Sequence, residues 1–173
     1  MKLVVLALFA VTDFALADPA GAVRGYLRSL QALNSARMND FLEKRTANFD
    51  MQAFERGTHT KWTWKIQRVA GADVFVDETE SSDFYNALGV GRRFQTCVFT
   101  VRDGKIVTFD LTSMRHVHGD YHEAYARFLT WLKNQPAAND PRLLRDGKLR
   151  FTAESAAAIK PWLKKYARER LAT

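Results

Sequence analysis

The sequence predicts an α+β domain with helices first, then an antiparallel sheet, then further helix. Three observations carry this reading. Apolar residues recur at helical spacing after residue 20, the period falls to two from Thr60, and an Asp-Gly pair at 103–104 joins two period-two segments. A length of 173 residues fits one domain, and the hydrophobic (47%) and charged (26%) shares indicate neither disorder nor a coiled coil.

The chain opens on Met1-Lys2, an apolar run from Leu3 to Val11, and Ala15-Leu16-Ala17 ahead of Asp18-Pro19. A lone cation, a short apolar core and an Ala-x-Ala site read as a secretory signal peptide over 1–17. Asp13 fits that pattern poorly, and an amphipathic first helix is the competing reading, although the run has no polar face. A bilayer span needs about 20 apolar residues, so no transmembrane segment is expected. The expectation is an exported protein, periplasmic or secreted, whose mature chain covers 18–173.

Ala22, Val23, Tyr26, Leu27 and Leu30 keep helical spacing, which predicts a first helix to about Gln31. Met38, Phe41 and Leu42 mark a second short helix, and Gln52 to Arg56 adds a turn before Gly57. From Thr60, Trp62, Trp64 and Ile66 alternate with Thr63, Lys65 and Gln67, as in a half-buried strand. Ala70 to Asp73 is a turn, Val74 to Ser82 the returning strand, and Asp83 to Gly89 a short helical or looped excursion. Arg92 to Val101 and Lys105 to Ser113 flank Asp103-Gly104, which completes four antiparallel strands. Tyr121, Tyr125, Phe128 and Leu132 return to helical period. Pro136 to Pro141 is a loop, Asp146-Gly147 is a second turn signal, and Thr152 caps a last helix that Pro161 should bend or restart. Residues 120–173 thus form a helical C-terminal extension of one domain.

A single cysteine, Cys97, excludes an internal disulfide, and burial is its expected fate. The net charge of +7 raises nucleic acid as a partner. However, Lys160, Lys164, Lys165, Arg168 and Arg170 share one helix with Trp162, Leu163 and Tyr166, the arrangement of a solvated face around an apolar stripe. No nucleic acid partner is expected. There is no Gly-rich phosphate loop, no Gly-x-Ser-x-Gly elbow and no cysteine pair at metal spacing, so no cofactor is expected and nucleophilic and nucleotide-dependent chemistries are disfavoured.

The segments Val23-Arg24-Gly25-Tyr26-Leu27-Arg28-Ser29-Leu30 and Cys97-Val98-Phe99-Thr100-Val101-Arg102-Asp103-Gly104-Lys105-Ile106-Val107 resemble the opening helix and final hairpin of the nuclear transport factor 2-like superfamily, including its SnoaL-like and ketosteroid isomerase-like branches. The resemblance covers about Ala20 to Ser113. It implies helices packed on a curved antiparallel sheet, a cone or cystatin-like roll, with any pocket inside the cone; for this chain the open sheet is the face expected to form a homodimer. It does not imply one activity, because the fold hosts binding modules and enzymes alike.

Alternation from Val101 opposite Ile106 sorts Thr96, Val98, Thr100, Val107, Phe109 and Leu111 onto one face, expected to meet the helices. The same exercise across Ala70 to Asp73 groups Trp62, Trp64, Ile66, Phe75, Asp77 and Thr79. The predicted pocket lining is therefore Tyr26, Trp62 and Trp64 with Phe75, Asp77 and Thr79, closed by Thr96, Val98 and Phe109. A small apolar or aromatic ligand fits such a wall, with a packed core as the competing use. The ketosteroid isomerase branch implies a tyrosine, an acid and a base: Tyr26 matches the tyrosine, Asp50 is the one candidate base, and no carboxylate lies between Arg92 and Arg102 for the acid. No catalytic residue is assigned. His116, His118 and His122, with Asp120 and Glu123 nearby, straddle a strand end, so solvated loop histidines compete with a metal site and none is assigned. Lys65 is expected opposite Glu78 as an outer cross-strand pair. The resulting expectation is a non-catalytic binding or interaction module. The alternative is a cofactor-free isomerase, lyase or hydrolase working through Tyr26 and Asp77 or Asp50.

Overall fold

A computed structural model describes residues 18–45 and 49–172 of the chain. The sheet is built around the tight turns foreseen above. Asp103 and Gly104 take φ of 50° and 73°, the two consecutive left-handed positions of a hairpin turn, which Asp tolerates and Gly adopts freely. They join β3 (Arg93–Arg102) to β4 (Lys105–His116), and β1 (Lys61–Ala70) and β2 (Asp73–Ser81) precede them. The four strands lie in the order β1-β2-β3-β4, all antiparallel.

Helix α1 (Pro19–Gln31) lays Ala22, Val23 and Leu27 on the sheet. There they meet Val74, Val76, Cys97, Phe99, Val101 and Ile106 in one buried cluster. A second cluster gathers the remaining helices: α3 (Phe49–Gly57), α4 (Asp83–Leu88), α5 (Tyr121–Lys133) and α6 (Ala153–Leu171). The short α2 (Ser35–Met38) starts on an Asn34 cap and connects α1 to the segment before α3. A small hairpin, β5 (Leu144–Arg145) with β6 (Lys148–Leu149), links α5 to α6 through the Asp146-Gly147 turn. The whole is an α+β protein whose helices flank a four-stranded antiparallel sheet and whose C terminus is helical. Among the described residues, no helix is long and apolar enough to cross a membrane. The signal-peptide expectation over 1–17 lies outside the described residues.

The Thr152 cap holds as expected, and the structure adds two further caps and one close helix approach. Thr152 caps α6 in a reciprocal box with Ser155, and Ser82 and Asp120 cap α4 and α5 through their side chains. Gly57 lets α3 approach α6, because a Cβ there would lie 2.3 Å from that of Ala156. Pro161 departs from expectation in that it does not restart the helix, and α6 runs unbroken through it. The proline removes one backbone donor, and both Pro161 and Ala157, whose carbonyl loses that bond, are exposed to water. Burial of Ile159, Leu163 and Tyr166 on either side holds the helix together.

The face assignment is corrected by three bulges. The register passes from Arg68↔Phe75 to Ile66↔Val76, leaving Gln67 unmatched. It passes from Thr100↔Thr108 to Val101↔Ile106, leaving Val107 unmatched, and from Thr96↔Ser113 to Cys97↔Leu111, leaving Thr112 unmatched. Each extra residue exchanges the two faces of everything beyond it. Trp62, Trp64 and Ile66 do face the helices, but their partners there are Glu80, Glu78 and Val76. Phe75, Asp77 and Thr79 lie on the opposite face, as do Thr96, Val98 and Thr100, with Cys97 and Phe99 inside instead. Lys65 accordingly pairs with Asp77, and Glu78 stands opposite Trp64.

Candidate functional site

Strand registry stacks the helix-facing residues in rows across the sheet. One row is apolar, with Ile66, Val76, Cys97 and Leu111. The next holds Trp64, Glu78, Gln95 and Met114, and the last holds Trp62, Glu80, Arg93 and His116. Polarity thus rises toward the end of the sheet where α3, α4 and α5 gather. A cavity of about 360 Å³ opens over that last row, lined by Glu80, Arg93 and His116 from the sheet and by Glu55, Tyr85 and Tyr121 from the helices. Phe54, Phe84 and Phe151 close its apolar side.

Glu80 is nearly fully buried and forms an ion pair with Arg93, while the Tyr85 hydroxyl donates to the same carboxylate oxygen at 3.2 Å. Burial pushes Glu80 upward, and the adjacent guanidinium counters it. The Tyr85 phenol is raised, first by burial and then by the Glu80 charge. The Arg93 guanidinium also sits 5.3 Å from the Trp62 ring and 5.9 Å from the Tyr85 ring, which fixes it from two sides. One row along, the Gln95 amide donates to Glu78, and the Cys97 thiol lies 3.9 Å from the same oxygen. Burial raises Glu78 as well.

Above the row, Glu55 projects from α3. Phe54 anchors that helix, its ring packed 5.8 Å from Phe84 and 5.0 Å from Phe151. The Glu55 carboxyl is pushed up from 4.5 to about 7, chiefly by burial and then by the Glu80 charge, with Arg93 and the Trp62 indole N–H opposing. On β4, the His116 ring stacks on Tyr121 at 5.3 Å and meets Tyr85 edge-on at 5.0 Å. Burial, and then the Arg93 charge, hold His116 below its ordinary value, which favours the neutral imidazole.

Among the described residues, four buried polar atoms here meet no partner in good hydrogen-bond geometry: Arg93 Nε, His116 Nδ1, and Glu55 Oε2 with Trp62 Nε1, which lie near each other without closing a well-formed bond. Three belong to one row of the sheet and the fourth stands over it. Leaving such an atom unmet costs about 1–3 kcal/mol, so the polar end of the sheet is an expensive arrangement for the fold alone.

A second cavity of about 280 Å³ adjoins the first, sharing Met51 and Glu55, and is lined by Tyr26, Phe99 and Phe109 among others. Burial raises the Tyr26 phenol to about 12, and its ring lies 5.7 Å from Phe99. A larger surface cleft of about 500 Å³ between α4 and α6 holds His59 and Asp83, but these are exposed and bonded to each other at 2.7 Å.

Of the residues expected to line a pocket, the structure gathers Tyr26 and Phe109 at the second cavity and sets Trp62 beside Glu55. Trp64 faces α1. Phe75, Asp77, Thr79, Thr96 and Val98 are on the other side of the sheet. Phe75 carries Arg68 over its ring at 3.4 Å, and Asp77 is exposed, accepting from Gln67 at 2.6 Å and Thr96 at 3.0 Å. His116 and His122 both border the first cavity, whereas His118 packs at Gly91. Among the described residues, no three His, Cys, Asp or Glu side chains converge as metal ligands. Sequence reasoning missed Glu55, Glu80 and Arg93. A faint signal for Glu55 existed, since it continues the stripe of Met51, Phe54 and Thr58 with a charge. Comparison with protein families, with curated proteins and with solved structures returns no match for this chain.

Proposed function

We propose that this chain is an exported small-molecule-binding protein of the nuclear transport factor 2-like type, with the cavity between α3 and the polar end of the sheet as its site. One observation carries the binding reading: Glu55, Glu80, Arg93 and His116, with the Tyr85 and Tyr121 phenols, line a space of about 360 Å³ beside the apolar wall of Phe54, Phe84 and Phe151. A packed core has no use for so many polar groups around one space, whereas the head group of a ligand would engage them. The order of elements, helices and then a four-stranded antiparallel sheet, supports the cone-like reading of the fold. The pocket is now assigned to Glu55, Glu80, Arg93 and His116 in place of the outer-face residues Asp77 and Thr79.

A screen of small aromatic compounds by ligand-detected NMR tests the proposal, with a plugged variant as the control. Met114 borders the cavity and is 44% exposed, so Met114→Trp fills the space without rebuilding the core. Compounds should bind the native protein and lose binding to the variant. A screen with no binder, or binders indifferent to the plug, refutes this site.

A second reading, proton-transfer catalysis without a cofactor, is favoured by the Glu55 carboxyl alone. Held near 7, it is matched to accept or return a proton at neutral pH. The isosteric Glu55→Gln variant would then abolish turnover of any substrate found while keeping its affinity. Equal loss of both assigns Glu55 to binding.

A further inference from the structure

The cavity carries more acid than base. Glu55 and Glu80 face it with one guanidinium, Arg93, which is already engaged by Glu80. The other ionisable groups around Glu55 add no compensating charge. The buried phenols of Tyr85 on α4 and Tyr121 on α5 are pushed further up by burial, as is Tyr26 on α1. His116 on β4 is held below its ordinary value by burial and the Arg93 charge, and His122 on α5 is exposed at the rim. Glu78, one row further along β2, contributes only acid. An ionised Glu55 is therefore compensated only by the Arg93 guanidinium that Glu80 already engages. It has two remedies, a proton or an incoming cation.

The walls discriminate between ligand charges. An anion would meet two carboxyls and a guanidinium that has no charge to spare. A cation would meet the Glu55 carboxylate in a space otherwise lined by the aromatic residues Tyr85, Tyr121 and Phe84. The volume of about 360 Å³ sits at the small end of ligand sites, suited to a single aromatic ring with a short arm. Resting on the reading of this cavity as a ligand site, we propose that it takes a small aromatic or apolar amine, bound as the ammonium ion with its charge on Glu55.

Proton linkage gives a signature that mere hydrophobic binding lacks. With Glu55 near 7, about half the molecules carry its proton at pH 7, and a bound ammonium expels it. Roughly half a proton should leave per amine bound at pH 7, and almost none at pH 8.5.

The experiment is isothermal titration of the whole protein with three probes of one shape: phenethylamine, phenethyl alcohol and phenylacetate. Titrations of the amine in buffers of different ionisation heat count the protons. The expected result is amine affinity at least about tenfold above the alcohol, with phenylacetate weakest, and a loss of the amine's advantage in Glu55→Gln. Alcohol or phenylacetate binding as tightly as the amine overturns the charge preference but leaves the pocket standing. Failure of all three overturns the amine proposal, while the plugged-variant screen above separately decides the pocket. If Glu55→Gln does not fold, the native protein's proton count decides alone: no release at pH 7, or uptake, refutes the proposal.

Discussion

Replacing Glu55 by glutamine should change how stability depends on pH, and the size of the change follows from the site. In the folded chain the carboxyl lies near 7, against 4.5 when unperturbed, because burial and the Glu80 charge disfavour its ionised form. The folded state therefore holds the proton more tightly than the unfolded state. The stability this gives is fully present below about 4.5 and is lost as pH rises through about 7. At 1.36 kcal/mol per pH unit the interval amounts to about 3 kcal/mol, and residual solvent contact of the half-buried residue lowers it toward about 2. Glutamine keeps the shape and cannot ionise. The difference in unfolding free energy, the Glu55→Gln variant minus the native protein, should thus climb by about 2–3 kcal/mol between pH 4.5 and pH 8.5. Urea titrations at four or five pH values measure it, and the subtraction removes the parallel contribution of Glu78 while keeping the coupling between Glu55 and Glu80 within the measured effect. A difference that stays flat within about 0.5 kcal/mol, or falls, shows that Glu55 is solvated and refutes the acidic-cavity argument.

Arg93→Met should cost about 3–5 kcal/mol in urea unfolding, because it strands the buried Glu80 carboxylate without its partner. A loss below about 1 kcal/mol would mean that water already reaches the pair. Cys97 should resist thiol reagents in the native state and react only on unfolding, since it is fully buried and its thiol is pushed up to about 12 by burial and then by Glu78. Rapid labelling without denaturant would contradict its placement. Asp77→Asn should alter stability by no more than about 0.5 kcal/mol and leave ligand affinity unchanged, its side chain being exposed on the outer face. Loss of binding in that variant would return the site to the other side of the sheet.

The element order was readable from periodicity and turn chemistry, because both are local. Asp103-Gly104 fixes a hairpin turn by backbone preference alone, and it correctly set Val101 opposite Ile106. Thr152, Ser82 and Asp120 cap their helices through a bond to a backbone N–H three residues on. The family resemblance drawn from Val23–Leu30 and the final hairpin concerns the same local features.

Facing was not readable by the same route, because it is a parity, and parity is carried along the whole strand. Walking by twos from a correct pair fails at the first residue that has no partner, and Gln67, Val107 and Thr112 are three such residues. None is a Gly or Pro that would announce a bulge. Composition held a partial remedy. Cys97, Phe99 and Val101 form a more apolar set than Thr96, Val98 and Thr100, and they run on into Ile106, which should have outweighed alternation counted across the turn. On β2 the remedy is weaker, since Val74, Phe75 and Val76 are apolar in succession and either parity buries something. The polar site escapes for a related reason: burial of Glu78 and Glu80 continues the parity of Val74 and Val76, so hydrophobicity, the usual guide to the inner face, argues for the wrong side at the very positions that matter. A charged pair placed on an inner face at a cost of several kcal/mol in desolvation is found only once Arg93 is seen beside Glu80, a pairing across two strands joined through α4. Core-forming residues can be inferred from pattern because each acts through its own hydrophobicity. Site residues act through partners distant in sequence, and here the partner also decides which face is the inside.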